Sequence, residues 1–81
     1  GGHQRGATVA QVGLHQPVHQ LDPALRRQAL YNLGTVQLLA ARRDSTQRDS
    51  LLTSAERNLR QALQLAPGDA AAKFNYELAR R

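Results

Sequence analysis

The stretch ALYNLG, Ala29 to Gly34, is answered near the C-terminus by AKFNYE, Ala72 to Glu77. Each opens small, long, aromatic, Asn, apolar, and Phe74 stands 43 positions after Tyr31, as Asn75 does after Asn32. A period of this length marks helical solenoids, in which each unit buries its apolar face only by stacking on a neighbour. What lies between the two stretches decides whether they are one unit written twice.

Outward from Tyr31 the signals are helical. Asp22 can accept from the first free backbone amides and Pro23 fills the first helical position, where no donor is needed. Leu25, Ala29, Leu33, Val36 and Ala40 then form an apolar stripe that Leu30, Leu38 and Ala41 widen, predicting a helix from Pro23 to about Arg43. Arg42 and Arg43 fall where a helix dipole favours cations.

The run Asp44 to Asp49 holds no apolar residue and reads as a loop. With Asp49 or Ser50 as its cap, a second helix is predicted from about Ser50 to Leu65, carrying Leu52, Ala55, Leu59, Ala62, Leu63 and Ala66 and ending at Pro67-Gly68. Asp69 can cap a third, over about 69–81, with Ala72, Phe74, Tyr76 and Leu78 on it. Residues 1–20 read as a loosely ordered segment or short helix, because Gly1, Gly2, Gly6, Gly13 and Pro17 punctuate them. The fold class is therefore all-α, a helical hairpin plus a flanking helix over 21–81.

Within that class the residues resemble the tetratricopeptide repeat (TPR). Tyr31-Asn32-Leu33-Gly34 matches the first-helix motif, and Ala55, Leu59, Ala62 and Pro67 match the second at the family's spacing of 4, 3 and 5. The resemblance covers about Leu21 to Arg81, one complete repeat and the first helix of the next. Gly34 to Ala55 is about nine residues longer than the standard repeat, which requires extended helices, an enlarged loop or both. In the second copy Glu77 takes the place of Gly34.

The resemblance implies a concave groove, lined by the first helices, that holds a peptide or partner helix. By position Gln28, Tyr31, Asn32, Thr35, Leu38 and Leu39 would line it, joined by Asn75. An amide there offers donors and an acceptor to an extended backbone, unless Asn32 and Asn75 bond only within their own hairpins. Tyr31 and Thr35 stand where some members clamp a C-terminal carboxylate with Lys and Asn, so that subclass is not expected. The aromatics Tyr31, Phe74 and Tyr76 have core packing as their ordinary role. The phrases LDPALRRQALYNLG and AKFNYELARR also look like TPR proteins found in bacterial operons beside membrane-anchored von Willebrand-type partners, which implies an envelope-associated scaffold.

Composition narrows the remaining classes. A chain of 81 residues is one small domain with a thin core, burying roughly 60% of its unfolded surface. The absence of Cys excludes disulfides and a thiolate nucleophile. No apolar run is long enough to span a bilayer, and Gly1-Gly2 without an initiating Met suggests a piece of a longer chain. His15 and His19 share a helical face, yet Pro17 lies between them and His3 is remote, so neither a metal nor another cofactor is expected.

The net charge of +5, almost all of it from Arg, permits nucleic acid, but no aromatic is interleaved with the basic pairs and no nucleic-acid motif appears. Arg26, Arg27 and Arg60 have Asp22, Glu56 or Glu77 as candidate ion partners. Scattered carboxylates and hydroxyls without a held His argue against an enzyme. The expected function is a protein-interaction scaffold, with self-association through exposed end helices as the alternative and nucleic-acid binding below both.

Overall fold

A computed structural model describes residues 18 to 81, and the reading of the preceding residues, His3 and His15 included, lies outside them. The chain is all-α: a 3-10 turn (Val18–Gln20) leads into α1 (Pro23–Arg43), α2 (Arg48–Leu65) and α3 (Ala70–Arg80), with no strand among the described residues.

Two of the three starts follow the expected caps. Asp22 accepts from the Leu25 amide at 3.0 Å with Pro23 behind it, and Asp69 accepts from the Ala72 amide at 3.1 Å. The second helix differs, beginning at Arg48 rather than Ser50 with no side-chain cap. Asp44 supplies the reason. Its amide closes α1 on the Ala40 carbonyl, while its Oδ1 accepts from the Thr46 and Gln47 amides at 3.0 and 3.2 Å. The turn is complete by Gln47, and Asp49 falls inside the first turn of α2, where the dipole favours a carboxylate. The surplus residues between Gly34 and Ala55 thus extend the helices, and the loop keeps only residues 44–47.

The directions of the helices follow from their partners. Gly34, Gln37 and Ala41 of α1 meet Leu59, Asn58 and Arg48 of α2, so the numbers fall on one helix as they rise on the other and the pair is antiparallel. Arg27 and Thr35 of α1 meet Asp69 and Asn75 at the cap and in the body of α3, so those two helices run parallel. Helix α2 packs against both.

The core is made of alanines and a few leucines. Ala41, Ala55, Ala62, Ala72 and Ala79 are buried with Leu30 and Leu38, and Leu59 is the one large side chain sealed completely among the described residues. Gly34 sets the spacing, because a Cβ there would stand 2.7 Å from Leu59 Cγ and 3.2 Å from the Ala55 carbonyl oxygen. This crossing corrects the apolar stripe expected of α1. Leu25, Leu33 and Val36 of that stripe are exposed, while Leu30, Gly34, Leu38 and Ala41 are buried. Helix α1 is apolar on two sides, and Leu59 can close only on the side that presents a glycine.

Candidate partner-binding site

The parallel arrangement of α1 and α3 creates one shared face, tied near its N-terminal end and again at its middle. At the N-terminal end Asp69 does two things: Oδ1 caps α3, and Oδ2 pairs with Arg27 Nη1 at 3.4 Å. This replaces the expected partners of Arg27, since Asp22 is taken up as the cap of α1 and Asp69 is brought beside Arg27 by the return of the chain. Farther along, Asn75 Nδ2 donates to Thr35 Oγ1 at 3.1 Å. Asn75 therefore bonds across to α1 rather than within its own helix pair. Asn32 is exposed and meets no partner among the described residues.

The remaining expected groove residues divide by exposure. Gln28 and Leu39 are exposed, Tyr31 is half-buried against the core, and Leu38 is only 6% exposed and belongs to the core itself. Tyr76 packs on the same core, whereas Phe74 is 64% exposed. The two aromatics that correspond by the 43-residue offset thus have different surroundings: Tyr31 lies where α1 meets α2 and α3, and Phe74 is on the open side of α3.

Beyond Thr35 and Asn75 the seam continues through Leu38 and Leu78 to Arg42 and Arg81, which line a cleft closed from α2 by Leu52 and Arg48. Arg48 is fixed there by donating from Nε to the Ala41 carbonyl at 3.2 Å, one of the acceptors left over at the end of α1. Sequence reasoning missed this cleft because it assigned Arg42 to the helix dipole. The available signal was the three-residue spacing of Asn75, Leu78 and Arg81, which places them on one side of α3.

No described helix is long and apolar enough to cross a membrane. No family model, curated protein or solved structure matches the chain. The architecture defines the class: an all-α unit of two antiparallel helices with a third running parallel to the first.

Proposed function

We propose that this chain is a TPR-like repeat unit serving as a protein-interaction scaffold, with the face shared by α1 and α3 as the surface that takes a peptide or partner helix. The observation that carries the reading is the parallel pairing of α1 with α3. Their ties, Arg27 with Asp69 and Thr35 with Asn75, span 42 and 40 residues, close to the offset between the two aromatic-Asn stretches. Gln28, Asn32 and Leu39 give that face unpaired polar groups beside an apolar one, the mixture suited to an extended or helical segment.

Selection of peptides from a random displayed library, followed by binding to Leu39→Asp and Gln28→Ala variants, tests this. Selected peptides should lose affinity for both variants. Binders indifferent to both substitutions and weakened by Arg57→Glu on the exposed side of α2 would sink the assignment.

A second reading, self-association, draws on a different observation: Leu25, Leu33 and Val36 form an exposed apolar row on α1. Sedimentation across a concentration series, with Val36→Lys as the comparison, separates it from peptide binding.

A further inference from the structure

The cleft at the C-terminal ends of α1 and α3 has a floor and a rim of opposite chemistry. Leu38, Leu52 and Leu78 supply apolar surface, and Arg42, Arg48 and Arg81 stand around it. Among the described residues none of the three guanidiniums meets a carboxylate in an ion pair. The carboxylates nearest in sequence are otherwise placed: Asp44 Oδ1 is taken by two backbone amides of its turn, Asp49 sits exposed in the first turn of α2, and Glu77, one turn before Arg81, lines a different hollow with Arg60 and Lys73. Arg80, beside Arg81, is drawn back over the Tyr76 ring at 5.5 Å and does not line the cleft.

We propose that this cleft receives an acidic peptide segment, seating one Leu-like side chain on Leu38, Leu52 and Leu78 while flanking Asp or Glu carboxylates pair with Arg42 and Arg81. The proposal rests on the peptide-binding reading above and deepens it by fixing the partner's chemistry and the end of the face that holds it. Guanidinium groups suit carboxylates because their paired donors match both oxygens, and pairs formed beside an apolar floor are less screened than pairs in open water. A nucleic acid fits less well, since the cleft has no aromatic ring on which a base could stack. A bilayer surface fits less well too, because the apolar groups here are recessed rather than projecting.

The test uses a fluorescent peptide acetylated at its N-terminus and amidated at its C-terminus, with Leu flanked by Asp and Glu, and a twin carrying Asn and Gln instead. Blocking the ends removes the terminal carboxylate as an alternative anion. The acidic peptide should bind about tenfold or more tightly than its twin at low salt, and the gap should narrow as salt rises. On the unaltered chain, nuclear magnetic resonance shifts should move at Leu38, Leu52 and Leu78. Arg42→Gln with Arg81→Gln should remove the preference with helicity unchanged by circular dichroism, while Arg57→Gln should keep it.

Equal binding of the two peptides, shifts confined to another face, or displacement of the acidic peptide by lower concentrations of oligothymidylate or anionic micelles would overturn the proposal. If the neutral twin binds equally along Thr35, Leu39 and Asn75, the acidic specificity fails and the peptide-binding face stands. If neither peptide binds and library selection also returns nothing, both fail.

Discussion

Gly34 and Leu59 meet so closely that a methyl group on the glycine would lie 2.7 Å from Leu59 Cγ and 3.2 Å from the Ala55 carbonyl oxygen one turn earlier on the same helix. The obstructing atoms are the root of a sealed side chain and a helix backbone, neither of which can swing aside. Gly34→Ala therefore loses more by overpacking than the roughly 1 kcal/mol an alanine gains over glycine in a helix, and a net destabilisation of about 1–2 kcal/mol is expected in urea unfolding. Unchanged or increased stability would mean the helices part at no cost.

The other described glycine predicts the opposite. Gly68 has open space where a Cβ would go and no positive φ, so neither crowding nor backbone shape demands glycine there. Gly68→Ala should be neutral or stabilising by up to about 1 kcal/mol, because the unfolded chain loses freedom and the turn loses nothing. Thermal unfolding of the variant measures this directly.

Asp69 joins a cap to an ion pair, and two substitutions separate them. Asp69→Ala removes both and should cost about 1–2 kcal/mol, whereas Asp69→Asn keeps a cap-competent oxygen and should cost only a few tenths. The Asn effect should vanish at high salt, since the Arg27 and Asp69 side chains are partly open to solvent. Equal losses for both variants would assign the stability to the ion pair and not to the cap.

The two apolar sides of α1 give a contrast between neighbours. Val36→Lys, at a position 61% exposed, should stay within about 0.5 kcal/mol of the parent, while Leu38→Lys, at 6%, should unfold the domain or cost several kcal/mol. Similar losses at both would mean that the exposed row is covered in solution, which sedimentation of the two proteins would then reveal.

Much of this architecture was legible in the sequence because its determinants are local. Asp22-Pro23 and Asp69 act on amides within their own first turns, and α1 runs over the span its apolar spacing defines. The start of α2 was misplaced because Asp44 closes the turn through two amides that follow it, leaving Asp49 and Ser50 nothing to cap. The buried side of α1 was less legible still. Leu33 and Leu30 are equivalent by hydrophobicity, and only the requirement of Leu59 for a glycine opposite it chooses between them. At the candidate site, Thr35 and Asn75 could both be named by position, but the bond between them could not, because it joins residues 40 apart and depends on their two helices being brought parallel.

That parallel pairing has a consequence for assembly. The movement that carries α1 onto α3 is a step with a direction, and repeating it leads onward instead of back to the start. A second copy docking by the same step would leave the same step available to a third. Association built this way would not stop at a closed dimer but would add mass continuously with concentration, as heterologous contacts do when their rotation fails to close. The shape of the sedimentation isotherm, plateau or steady rise, therefore reports whether copies meet by this step or face to face.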